Sequence, residues 1–172
     1  MVKNRFSTLK EIFKCLPVVL MSVGLGITAG LPAHASDEIY HGNFCGPVKE
    51  DIANIQRNKW GVANISNSVA ATVECPFNLP YVADLRVNSV FVAVYDRNSN
   101  SNVSCTLTGV STDGSTLWEI TRSSVGLSQP AQYLSFSPPN QFIATMNMSC
   151  SIPPRYLDKA SSVSTYRVIT TP

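Results

Sequence analysis

Histidine is almost missing from this chain: two of its 172 residues, His34 and His41, and only His41 lies beyond position 35. Hydrolysis by a nucleophile beside an imidazole base therefore has a single residue to build on, and that residue stands close to a chain end that commonly frays. The sequence has no G-x-S-x-G elbow, no H-E-x-x-H and no glycine-rich phosphate loop, so the usual frames for acyl transfer, zinc proteolysis and nucleotide chemistry are excluded. Charge is sparse as well. Charged residues make up 14% of the chain without a run of either sign, which leaves no basic stripe for nucleic acid or an anionic membrane surface. Helical periodicity is confined to Val48, Ile52 and Ile55 in VKEDIANIQRN, enough for about two turns.

The first 35 residues have their own order. Lys3, Arg5, Lys10 and Lys14 stand against one Glu11, Leu16 to Leu31 carry no charge, and Ala33-His34-Ala35 follow. That order is a removable secretory signal peptide with cleavage after Ala35. The uncharged run is interrupted by Gly24, Gly26 and Gly30 and falls short of the roughly 20 residues that a membrane helix needs. Cys15 precedes the run, so it is not a lipoprotein cysteine. Residues 36–172 are expected to form one secreted or periplasmic domain, monomeric and without a membrane contact once the signal is gone. Its charge is near balance, nine Lys and Arg against ten Asp and Glu.

Beyond the signal four cysteines remain, Cys45, Cys75, Cys105 and Cys150. In an oxidising compartment an even set predicts two disulfides; the long spacings do not suit a zinc site, which wants short pairs. Elsewhere apolar residues alternate with period two between Ser, Asn, Pro and Gly clusters, predicting strands near 60–66, 69–75, 89–95, 103–108, 116–121, 132–136, 141–150 and 163–169. Eight short strands without intervening helices predict an all-β, antiparallel β-sandwich of jelly-roll-like type. In FIATMNMSCSI the residues Phe142, Ala144, Met146, Met148, Cys150 and Ile152 share a dry face; in VSCTL, Val103, Cys105 and Leu107 do. Cys105 and Cys150 are therefore expected to meet across the core, leaving Cys45 for Cys75. SVFVAVY is apolar on both sides and reads as a strand covered on both faces.

The ordered landmarks GV-N-S at Gly61 to Ser66, ECP at Glu74 to Pro76, VFVAVYDRN, NVSCTL, SCSIPP and the late STYRV resemble a group of small secreted bacterial proteins of unknown function. The resemblance runs from about Gly61 to Val168. It implies an exported β-sandwich with paired cysteines, and it carries over no catalytic residue.

For function, three classes stand open: a non-catalytic module binding an extracellular glycan or protein ligand, a secreted glycoside-acting enzyme using a carboxylate pair, and an extracellular enzyme inhibitor. Trp60 and Trp118 are the candidate ligand-binding residues, since a flat aromatic face stacks on a sugar ring; filling the core is the competing use of so large a side chain. A glycosidase needs two carboxylates about 5 to 9 Å apart; Glu74, Asp84, Asp96, Asp113, Glu119 and Asp158 are available, Glu119 first because it adjoins Trp118. Asp96, Asn98 and Asn100 have the spacing that opens a calcium loop, but Ser101 and Leu107 stand where the turn glycine and the bidentate Glu belong. A hairpin turn is expected there, with no metal and no cofactor.

Overall fold

A computed structural model describes residues 35–79 and 86–171. The expected signal segment, Cys15 and Asp84 lie outside the described residues. Among the described residues, no helix is long and apolar enough to cross a membrane.

The chain forms two antiparallel sheets. One has the order β3 (Ile55–Asn58), β4 (Gly61–Asn64), β11 (Ser162–Thr171), β6 (Arg86–Tyr95) and β9 (Gln132–Phe136), with β1 (Ser36–His41) also paired to β11. The other runs β2 (Gly46–Pro47), β5 (Ala71–Pro76), β10 (Thr145–Ile152), β7 (Ser104–Val110) and β8 (Thr116–Ser123). The successive strands β4 to β11 divide as β4-β11-β6-β9 against β5-β10-β7-β8, the interleaving of a jelly roll. All eight expected strands are present.

Three strands went unseen in the sequence, and each has a local reason. β1 reads SDEIYH, with too few apolar residues to alternate; β2 is two residues long; β3 has one apolar residue, Ile55. The segment expected to make two helical turns makes a 3-10 helix, Lys49–Asn54. The chain end at His41 is not frayed, because β1 pairs with β11 from Ser36↔Thr170 to His41↔Thr165.

Alternation fills the core. From one sheet come Val90, Val92 and Val94 of β6, Val163, Tyr166 and Val168 of β11, and Phe136 of β9. The other supplies Val73, Leu107, Met146, Met148 and Ile152. Phe142 and Ala144 depart from the expected dry face and are exposed. β10 begins only at Thr145, so the pleat that would turn them inward is absent.

The disulfides are Cys45–Cys75 and Cys105–Cys150, with all four residues buried. Cys105 and Cys150 are direct partners on the neighbouring strands β7 and β10. Their bridge lies within one sheet and does not cross the core, which corrects the expected geometry while leaving the pairing as it was. Both face inward because both sit at the inward phase of their strands.

Candidate ligand-binding site

The outer face of the six-stranded sheet carries exposed aromatic and apolar side chains, Ile39 and Tyr133 among them. β6 alternates, so Val90, Val92 and Val94 enter the core while Phe91, Ala93 and Tyr95 point the other way. The second face of SVFVAVY, expected to be covered like the first, is covered in part: Ala93 is buried, while Phe91 and Tyr95 remain partly exposed. Arg97 continues the same phase past the end of the strand. Its guanidinium lies 5.5 Å from the centre of the Tyr95 ring, and its backbone N–H donates to Ser161 Oγ at 2.8 Å.

Beside this stripe stands Trp60, on the two-residue turn Lys59–Trp60 between β3 and β4, where Asn58 pairs with Gly61. Gly61 has φ +123, and a Cβ there would come within 2.1 Å of the Val163 carbonyl oxygen. Only glycine lets the hairpin lie this close to β11. The turn is braced from below as well. Trp60 N–H donates to Asn58 Oδ1 at 2.8 Å, and His41 Nε2 is 3.2 Å from the Lys59 carbonyl oxygen. Because His41 Nδ1 accepts from the Asn43 N–H, the ring proton sits on Nε2 and is donated to Lys59. Trp60 keeps 62% of its surface exposed.

Trp60, Tyr95, Arg97 and Ser162, with Asn58 and Ala160, line a hollow of about 310 Å³. A second hollow of about 310 Å³ lies on the same face, lined by Ile39, Phe91, Ala93, Tyr133 and Arg167. Arg167 is taken up by Asp37, with Nε donating to Oδ1 at 2.6 Å; that hydrogen bond, before the charge itself, holds the Asp37 carboxyl below the usual range. Arg97 is different. Its Nη1 is buried and meets no acceptor.

Of the two tryptophans expected to bind ligand, the structure brings only Trp60 to this site. Trp118 is 9% exposed and belongs to the core. It pairs with Gly109 across β7 and β8, and the missing side chain of Gly109 leaves the space its indole fills. Tyr95 and Arg97 were not singled out in the sequence. The signal was present in the odd-numbered series Phe91, Ala93, Tyr95, Arg97, which continues one face of the strand beyond its apolar run.

Of the candidate carboxylates among the described residues, Glu74 and Glu119 stand apart, and Asp96 and Asp113 are tied into turns. Glu119 is exposed on β8 and points away from its neighbour Trp118, as adjacent strand residues must. Glu74 is exposed on β5, and two intervening strands set its backbone about 14 Å from β8. Asp113 closes a turn: the Ser111 hydroxyl, then the Ser115 N–H, draw its carboxyl down to about 2, the opposite of the raised value a catalytic acid needs. Asp96 is fully buried, and its oxygens accept from the Asn98 N–H at 3.0 Å and from the hydroxyls of Ser124 at 2.5 Å and Ser161 at 3.4 Å. Asn98 Oδ1 in turn accepts from the N–H groups of Asn100 and Ser101. The D-x-N-x-N spacing thus builds a self-bonded turn.

No family model matches this sequence, and no curated protein does. Solved structures superpose on this chain at low identity. A family two carbohydrate esterase from Cellvibrio japonicus superposes with TM-score 0.48 at 7% identity, over 81% of this chain and 36% of that one. The carbohydrate-binding module CBM36, in complex with calcium and xylotriose, gives 0.41 at 9%, over 77% of this chain and 98% of that one. TmCBM61, in complex with β-1,4-galactotriose, gives 0.37 at 10%, over 77% and 83%. The chain spans about a third of the esterase's length, and likenesses this distant carry no argument about activity.

Proposed function

We propose that this is an exported, non-catalytic glycan-binding module whose sugar site is the hollow between Trp60 and Tyr95. One observation carries the reading: a tryptophan at the tip of a braced two-residue turn, 62% exposed, beside a partly exposed tyrosine and a guanidinium without a counterion among the described residues. A large aromatic normally buries its area in a small domain. Keeping one in water on a rigid mount costs hydrophobic stabilisation, and the return is a flat surface for a partner with an apolar face. A pyranose ring presents such a face through its C–H bonds, while its hydroxyls take hydrogen bonds from polar groups at the rim. Asn58, Ser162 and Arg97 stand where those groups are needed.

Affinity electrophoresis through gels containing soluble polysaccharides tests the reading. The wild-type protein is retarded by at least one polymer, and Trp60→Ala weakens that retardation about tenfold or more, in the range of a lost stacking anchor. Unchanged retardation of Trp60→Ala would remove the site. Export is tested separately: the N-terminus of the protein recovered outside the cytoplasm is Ser36.

A further inference from the structure

Arg97 and Arg167 stand on the same outer face, one hollow apart, and only one has a counterion. Asp37 holds Arg167 by two hydrogen bonds, Nε to Oδ1 and Nη2 to Oδ2. Among the described residues, no carboxylate lies within 4.0 Å of Arg97. A guanidinium keeps its charge at any ordinary pH, and a desolvated charged donor without an acceptor is unfavourable. Yet Arg97 is held in place, by the Tyr95 ring beneath its guanidinium and by Ser161 at its backbone. Nη1 is closed to solvent, so an anion in the hollow that Arg97 lines is met by the other edge of the guanidinium, Nε and Nη2. Lys59 adds a second positive charge at this rim, its ammonium 4.9 Å from the centre of the Trp60 ring. No residue lining the hollow is acidic.

We propose that the glycan is acidic: a uronate ring stacks against Trp60 while its carboxylate accepts from the Arg97 guanidinium that the Tyr95 ring supports. The planar fork of an arginine matches a carboxylate with two parallel N–H donors, and the opposite charges make those bonds stronger than bonds to the hydroxyls of a neutral sugar. The proposal rests on the glycan-binding reading and deepens it by naming the charge of the ligand.

Titration calorimetry of the purified exported protein, with polygalacturonate, neutral β-1,4-galactan and dextran sulfate, separates the possibilities. Polygalacturonate binds about tenfold or more tightly than galactan, and its affinity falls with added salt. Arg97→Gln raises its Kd about tenfold or more; Arg97→Lys, which keeps the charge but loses the fork, raises it less. Melting temperatures of both variants show that the fold is intact, and the lysine variant carries the test if the glutamine variant fails to fold. Equal binding of galactan and polygalacturonate, or an Arg97→Gln variant that binds polygalacturonate like wild type, overturns the acidic ligand; loss of galactan binding in Trp60→Ala then keeps the glycan site itself. Tighter binding of dextran sulfate with the same dependence on Arg97 overturns the carboxylate in favour of a sulfate ester. Binding to none of the three, or binding indifferent to Trp60→Ala, overturns both readings.

Discussion

Trp118 and Trp60 have the same side chain and opposite uses, and what faces each decides which. Opposite Trp118 is Gly109, whose missing Cβ would fall 2.3 Å from the indole ring; the two residues together occupy one slot in the core. Trp118→Ala empties that slot and should cost about 3–5 kcal/mol, read as a fall in melting temperature of roughly 10–17 °C. Gly109→Ala overfills it and should cost about 1–3 kcal/mol. In the Trp118→Ala background that penalty disappears, since the added methyl then has room; a double-mutant cycle measures the coupling. Trp60→Ala, by contrast, shifts stability by no more than about 0.5 kcal/mol, as exposed positions do. Additive losses at Gly109 and Trp118 would show that the ring does not occupy the space above the glycine. The sequence named both tryptophans and could not sort them. TLWEIT has too little alternation to show which side of β8 is dry, and the turn at Lys59–Trp60 is hidden because its first strand, IQRN, carries one apolar residue.

At the scale of elements, strand phase was the most legible property and edge attachment the least. The alternations in β7 and β10 placed Leu107 and Met148 in the core from the letters alone. What β6 could not reveal was whether its second apolar face is covered, because a covered face and a ligand-binding face read alike. β1 was illegible for a different reason: its attachment comes from aromatic contacts with distant residues. Tyr40 stacks on Tyr166 of β11, with centroids 4.9 Å apart and planes 8° from parallel, and Phe77 meets both rings edge-on. Burial, with the hydrogen bond to Glu38 second, pushes the Tyr40 phenol up to about 12, and burial raises Tyr166 as well. The folded values lie above the ordinary value near 10. The contribution is therefore fully present below pH 10 and is lost as pH rises from about 10 to 12, where the unfolded chain releases protons that the folded chain keeps. Melts between pH 9 and 12 should show this decline, and Tyr40→Phe should make it shallower. A variant with an unchanged slope would show that β1 docks without help from that phenol.

For the molecule as a whole, the two disulfides divide the labour of holding the sandwich and holding the site. Sequence reasoning ranks Cys105–Cys150 above Cys45–Cys75, on the ground that the first is buried and the second ties a chain end. Both bridges are in fact buried, so that ground is gone. Their loops span 30 and 45 positions, and loop entropy gives each about 4 kcal/mol, with only a few tenths between them. What differs is the support around each. Cys105–Cys150 joins strands that pair continuously from Thr145↔Val110 to Ser151↔Ser104, and those strands stay zipped when the bond is removed. Beside Cys45, β2 pairs with β5 at two positions only, and Arg57 of β3 reaches back to the Cys45 carbonyl oxygen at 3.1 Å. Through Arg57 the bond steadies β3, and β3 carries the turn that presents Trp60. Replacing either pair with alanines should therefore lower the melting temperature by similar amounts, while the local effects separate. Loss of Cys45–Cys75 should strip hydrogen-exchange protection from residues 46–58 and weaken glycan binding severalfold at a temperature where the protein is still folded. Loss of Cys105–Cys150 should leave binding at that temperature unchanged. Equal loss of affinity in both variants would mean that the hairpin bearing Trp60 is positioned by the sheet alone, through Gly61 and β11, and that the disulfide behind it is a brace for the fold and not for the site.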